Sequence, residues 1–132
     1  MGYLENKTAL VTGAGRGIGA AIAQAFVRDG AFVHVTDVDP DAAHRLAAAL
    51  GDRAGAFALD VTCEADWTNA QDRMRAAGGL DVLVNNAGIT GFLETPGPHD
   101  PEHLDLASWR SVMAVNADGV ALGCRTGIGL MR

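Results

Sequence analysis

Thr12-Gly13-Ala14-Gly15-Arg16-Gly17-Ile18-Gly19 sets four glycines into the seven residues from Gly13 to Gly19, where the apolar run Thr8-Ala9-Leu10-Val11 gives way to Ala20-Ala21-Ile22-Ala23. The first run has the composition of a buried strand and the second that of a helix, so the glycines fall in a strand-to-helix turn. Glycine there permits a tight turn and lets backbone N–H groups approach an anion, which the positive end of the following helix also attracts. The segment therefore predicts a cradle for a pyrophosphate.

Beyond the cradle, Ile18, Ala21, Ile22, Ala25 and Phe26 recur at spacings of three and four, which predicts a helix from Gly17 to Asp29 with those residues on its apolar face. Gly30 stops it. Ala31 to Thr36 is short, mostly apolar and rich in aromatic and β-branched residues, as expected of a second buried strand ending at Asp37. Asp39-Pro40 predicts an N-cap followed by proline at the first helical position, in a helix that Gly51 closes. Ala54 to Leu59 predicts a third strand, and Thr62 is the expected cap of a third helix whose first turn carries Glu64 and Asp66. Gly78-Gly79 ends that helix, and Leu80 to Val84 enters a fourth strand.

From Ile89 to Ala107 the composition shifts to Gly, Pro, Thr, His and acids, and Pro96, Pro98 and Pro101 rule out a continuous helix. A loop of that length inside a compact domain is usually functional. A last helix is expected from about Ser108, with Trp109, Val112, Met113, Asn116, Val120 and Gly123 on one face. Four rounds of strand and helix imply an α/β fold, a parallel sheet covered on both faces by right-handed crossovers.

The 132 residues carry a formal net charge of -6, with acids and bases scattered. No basic stripe exists to neutralise a phosphate backbone, which argues against nucleic acid as a partner. The N-terminus lacks a basic segment followed by an apolar one, and no apolar run reaches membrane-spanning length, so a cytoplasmic protein without membrane attachment is expected. Cys63 and Cys124 share no metal-binding or redox spacing and are expected as free thiols. His99-Asp100-Pro101-Glu102-His103 does not follow a zinc pattern, because Pro101 prevents helical presentation of the histidines, and no metal site is expected. His34 is expected in a strand and His44 on a surface helix. The absence of Gly-Lys-Ser/Thr excludes a P-loop.

Thr12-Gly13, three residues, then Gly17-Ile18-Gly19 resembles the glycine motif of the short-chain dehydrogenase/reductase family. Asn85-Asn86-Ala87-Gly88 after the fourth strand matches that family's second signature, and Asp60-Val61 its acidic-apolar pair after the third. The resemblance covers nearly the whole chain. It implies a Rossmann-like, doubly wound parallel sheet, here partial, with strand order 3-2-1-4 plus a fifth helix, in a single incomplete dinucleotide-binding domain over residues 1–132. By the same resemblance Gly13, Gly17, Ile18 and Gly19 would line the pyrophosphate and ribose, Asp60 and Val61 would contact adenine, and Asn86, Ala87 and Gly88 would pass beneath the second ribose. Trp109-x-x-Val112-x-x-Val115-Asn116-x-x-Gly119 looks like the family's fifth helix, which adds Val115 to the cofactor contacts and gives Asn116 the role of positioning a water in a proton relay. The competing reading of Asn116 is an amide that satisfies a helix kink.

Asp37, at the end of the second strand, can accept both hydrogen bonds of an adenosine ribose and would repel a 2′-phosphate, favouring NAD over NADP. Arg16 points the other way, being compatible with a 2′-phosphate, and joins the candidate contacts. The family's chemistry, hydride transfer between a nicotinamide and a small-molecule alcohol or ketone, requires a tyrosine activated by a lysine four residues on, and a serine. Here Tyr3 and Lys7 are the one tyrosine and the one lysine. They show that spacing but precede the first strand, at the end of the sheet away from the cofactor, and neither Ser108 nor Ser111 occupies the place of the family's serine. The chain is thus expected to be the N-terminal half of such an enzyme and catalytically incompetent alone, with a non-catalytic nucleotide-binding or assembly module as the alternative. Glycine spacing disfavours the extended epimerase-type families. The fourth strand would form an apolar sheet edge, and Gly119, Gly123 and Gly127 in the last helix point to a close approach of another backbone, so homo-oligomerisation or dependence on a partner chain is expected.

Overall fold

The computed structural model describes residues 2–132. Strands β1 (Thr8–Val11), β2 (Phe32–Asp37), β3 (Ala54–Ala58) and β4 (Val82–Val84) form one parallel sheet in the order β3-β2-β1-β4. Leu10 lies beside His34 of β2 and Leu83 of β4, so β1 is central and the cleft-forming turns after β1, β2 and β4 leave from the same end. This is the expected α/β architecture and strand order.

Alternation along the strands divides the core between two faces. Ala9, Val11, Val33 and Val35 pack with Ala23 of α1 (Gly17–Arg28) and Ala43 and Ala47 of α2 (Pro40–Leu50). Leu10, Phe57 and Leu59 pack on the other side with Trp67, Ala70 and Met74 of α3 (Glu64–Ala76). His34 belongs to this second side, edge-on to Phe32 and Phe57 at centroid separations of 5.0 and 6.2 Å. Its Nε2 is buried without a hydrogen-bond partner among the described residues. Burial, and secondarily the charge of Arg73, lower its pKa from 6.5 to about 4.

Several local expectations are corrected. The buried residues of α1 are Gly19 and Ala23, whereas Ile18 is 75% exposed. Ile22 and Phe26 of the expected face do pack, half-buried, against the core, so the departure is confined to Ile18 and Ala21 near the start of the helix. Thr62 does not cap α3; its hydroxyl donates to Asp60 Oδ1 at 2.7 Å, and Cys63 occupies the cap position without a side-chain bond. Asp66 accepts from the Asp60 N–H instead. The last helix starts earlier than Ser108: α4 (Leu106–Met113) is capped by Asp105, whose carboxylate accepts the Ser108 N–H at 2.9 Å. Trp109 and Met113 of its expected apolar face are exposed. A π-helical turn, Ala114–Asp118, carries the chain without interruption into α5 (Gly119–Met131).

Gly119, Gly123 and Gly127 are the buried residues of α5. They meet mainly side chains of their own chain and not a second backbone: a Cβ on Gly119 would lie 2.6 Å from Val61 Cγ2, one on Gly127 2.9 Å from Leu83 Cδ2, and one on Gly123 would collide with Asn85. The glycines thus draw α5 against α3 and β4. The outer side of β4 has no strand partner among the described residues.

Candidate functional site

The turns after β1, β2, β3 and β4 surround a cleft of about 760 Å³. Gly13 supplies its floor. With φ at 60° it occupies a conformation that favours glycine, and a Cβ there would come within 2.8 Å of Ala87 Cα. The turn after β1 and the turn after β4 are tied through Thr12. Its Oγ1 accepts the N–H groups of Asn86 and Ala87, both at 3.0 Å, while Asn86 Nδ2 donates back to the carbonyls of Thr12 and Gly13 at 3.0 and 3.1 Å. These four bonds tie the two turns to each other.

The start of α1 differs from that of its neighbours. Asp39 caps α2, Asp105 caps α4, and α3, though without a side-chain cap, carries Glu64 and Asp66 in its first turn, whereas Arg16 at the N-cap of α1 makes no side-chain cap bond and no acid lies in the first turn. Amides at that end have no side-chain acceptor among the described residues, which leaves them, with the helix dipole, available to an anion. A Cβ on Gly17 would meet nothing within 4 Å, so the space above this helix end is open.

Asp37 is buried at the end of β2 and lines the cleft. Its Oδ2 accepts the Gly15 N–H at 2.9 Å and its Oδ1 the Asp39 N–H at 3.0 Å. Each oxygen keeps a further lone pair, so the carboxylate is oriented but still able to accept. Arg16 pairs with Asp39 at 2.9 Å, Nη2 to Oδ2, and both residues border the cleft.

Of the residues singled out in the sequence, Gly13, Arg16, Asp37, Asp60 and Val61 line the cleft, as do Asn86, Ala87, Gly88 and Val115. Gly17 and Ile18 are exposed in the first turn of α1 and do not line it, and Gly19 is buried beneath, against Asn86 and the Gly13 carbonyl. Asn116 also lies outside the lining: its Oδ1 accepts the Ile89 N–H and its Nδ2 donates to the Ile89 carbonyl, both at 2.8 Å. The amide therefore clamps the backbone just after Gly88 from within the π turn. Thr12, Asp39, Ile89, Glu94 and Ser111 were not singled out as site residues. Thr12 shows as a hydroxyl amid apolar strand residues, Asp39 shows only as a helix cap, and Ile89, Glu94 and Ser111 carry no local signal. Tyr3 and Lys7 lie before β1, at the opposite end of the sheet from the cleft.

Asp100, Glu102 and His103 offer ligand atoms within 4.8 Å of one another in the long loop, all exposed, with His103 Nδ1 2.7 Å from Asp100. Among the described residues no helix is long and apolar enough to cross a membrane.

A parallel sheet whose strand ends carry a glycine turn, an acid after the second strand and an uncapped helix start defines an α/β fold of the dinucleotide-binding class. Within that class the chain belongs to the short chain dehydrogenase family, which matches residues 7–132. It is 38% identical to 3-beta-hydroxysteroid dehydrogenase of Comamonas testosteroni, over 98% of this chain and 49% of that protein. It is 41% identical to D-threitol dehydrogenase of Mycolicibacterium smegmatis, over 92% of this chain and 46% of the relative. Among solved structures it resembles 3-ketoacyl-(acyl-carrier-protein) reductase from Brucella melitensis complexed with NADH, with a TM-score of 0.87, 38% identity, and coverage of 96% of this chain and 50% of that one. The chain thus spans about half the length of these relatives.

Proposed function

We propose that residues 1–132 form the incomplete dinucleotide-binding domain of a short-chain dehydrogenase and that the cleft binds NAD in preference to NADP. The observation that carries this reading is Asp37: buried, lining the cleft, and oriented by two backbone N–H groups with acceptor capacity to spare. The residues fit the group. The open space at Gly17 and the unclaimed first-turn amides of α1 suit a pyrophosphate, the Asp37 carboxylate suits a ribose diol, and Val61 and Asp60 border the place assigned to adenine. Asn86, Ala87 and Gly88 would support the second ribose, with Val115 alongside, and Asn116 holds that support in place through Ile89. When bound, the nicotinamide supplies a hydride donor or acceptor for an alcohol or ketone.

Turnover in this family, by the resemblance, calls on a tyrosine, lysine and serine. Tyr3 and Lys7 lie at the far end of β1, so the 132 residues alone are proposed to bind without turning over substrate. The half-length match to the relatives supports this division. A cytoplasmic location and homo-oligomeric assembly belong to the same proposal, the latter supported by the exposed Trp109, Met113, Ile128 and Met131 of α4 and α5. The free edge of β4 favours a second reading, a non-catalytic module that joins a partner chain.

Isothermal titration with ADP-ribose and NAD tests the binding reading. Saturable binding that Asp37→Ala weakens at least about tenfold, the equivalent of about 1.4 kcal/mol, is expected. Absence of binding to the folded chain would overturn it. Dehydrogenase turnover by the isolated chain would overturn the assignment of catalysis to other residues, and stable 1:1 capture of a family member without nucleotide would favour the module.

A further inference from the structure

The cap residue of α2 does two things with two different oxygens. Asp39 Oδ1 accepts the N–H groups of Asp41 and Ala42 at 3.1 and 3.2 Å, which is the helix cap. Its Oδ2 is turned the other way and accepts from Arg16 Nη2 at 2.9 Å. Arg16 stands at the N-cap of α1, where the helix dipole disfavours a cation. The guanidinium is nevertheless held at the border of the cleft, and the partner holding it is 23 residues away in sequence.

The pair is solvent-facing, with side-chain exposures of 72% and 39%. An ion pair so exposed contributes little to folding. Its position gives it a different consequence, because the Asp39 N–H donates to Asp37 Oδ1, so Arg16, Asp39, Asp37 and the Gly15 N–H form one chain of contacts along the end of the cleft. Two carboxylates and one guanidinium leave that end with a net negative charge. Among the described residues, Arg16 is the only basic side chain lining the cleft.

Taking the adenosine ribose to lie against Asp37, as proposed above, we propose that Asp39 is a second specificity-determining residue, which selects a free 2′-hydroxyl by sequestering Arg16. Asp37 alone offers a diol two acceptors and repels a phosphate. Without Asp39's charge, Arg16 is free to pivot toward a 2′-phosphate and grip it with charge-assisted hydrogen bonds, which a guanidinium makes well. Asp39 thereby cancels the one feature of the cleft that would favour the phosphorylated ribose. The helix cap and the selectivity latch are thus the same carboxylate.

The test uses the full chain and two probes, ADP-ribose and its 2′-phosphorylated counterpart, titrated calorimetrically at fixed low salt. Asp39→Asn and Asp39→Ser both retain an oxygen for the cap while removing the charge, and circular dichroism melts verify that each variant is folded. Wild-type protein is expected to prefer ADP-ribose. Both variants should narrow that preference about tenfold, the value of roughly one charge-assisted hydrogen bond, and adding Arg16→Ala to Asp39→Asn should erase the gain. A preference unchanged in both Asp39 variants overturns the role of Asp39. A gain that survives Arg16→Ala also overturns it, assigning the effect to relief of repulsion alone. Failure of the wild-type chain to bind ADP-ribose overturns instead the nucleotide reading on which the proposal rests.

Discussion

Replacing His34 with leucine should remove most of the acid sensitivity that this side chain brings to the fold. The imidazole is about 9% exposed, sits between Phe32 and Phe57, and has an Nε2 without a partner. Its pKa falls from 6.5 to about 4 when the chain folds, mainly through burial and further through Arg73. A base with a lowered folded pKa is taken up as the neutral form. Between pH 6.5 and about 4 the unfolded chain therefore binds more protons than the folded one, and stability falls as pH falls through that window. Above pH 6.5 the effect vanishes, and below about 4 it is complete. At about 1.4 kcal/mol for each pKa unit separating the two states, the drop to about 4 costs about 3 kcal/mol at the acid end.

Urea titrations from pH 4 to 7, followed by far-ultraviolet circular dichroism, measure this directly. The wild-type and His34→Leu chains share all their carboxylates, so the acid loss due to those groups cancels in the difference. The expected difference curve is flat above pH 6.5 and rises by about 3 kcal/mol in favour of leucine toward pH 4. Leucine also removes the unpartnered nitrogen, which adds a pH-independent offset. Parallel pH profiles for the two proteins would refute the argument, since a constant offset reports packing and not proton uptake.

Two further outcomes follow from the packing. Gly119→Ala places a methyl 2.6 Å from Val61 Cγ2 and is expected to destabilise the fold by roughly 1–3 kcal/mol despite alanine's better helix propensity; Gly129→Ala, whose nearest neighbour would be Gln71 Nε2 at 3.7 Å, should stabilise it by about 0.5–1 kcal/mol in the same urea titration. Asn116→Ala removes both bonds to Ile89 and should raise amide hydrogen exchange at Ile89 by a factor that corresponds to about 1–3 kcal/mol of lost protection, and unchanged exchange there would contradict a clamping role.

The strands, helices and glycine turn were legible because they depend on signals local in sequence, namely apolar runs, glycines at turns, and Asp39-Pro40 at a helix start, whereas the strand order rested on the family resemblance. The face of α1 was legible only in part. Ile22 and Phe26 pack on the core as their spacing implies, but the nearest approach to the strand ends is at Gly19, where Asn86 and the Gly13 carbonyl leave no room for a side chain. Thr62 illustrates a second limit. It had the right chemistry for a cap, but Asp60 two residues earlier offered its hydroxyl a closer acceptor. Asp39 shows the third: its role as a cap could be read from its neighbours in sequence, while its bond to Arg16 exists only because the turns after β1 and β2 leave the sheet side by side. The resemblance gave Asn116 a role in positioning a water; in the structure its amide lies outside the cleft lining and grips the Ile89 backbone at two points.

The π turn makes the last helix a matter of register more than of composition. Ser111, Val115, Gly119, Gly123 and Gly127 recur every four residues; the first two line the cleft and the last three lie against α3, β4 and Val61. In an uninterrupted α-helix positions four apart drift by about 40° per step, or about 160° from Ser111 to Gly127. The extra residue of the turn at Ala114–Asp118 takes back about 100° of that drift. Substitution there is therefore milder than deletion: losing any one residue between 114 and 118 would swing the glycine stripe off the sheet while leaving every glycine present. Tolerance to insertions and deletions, and not to side-chain change, is what this segment most narrowly constrains.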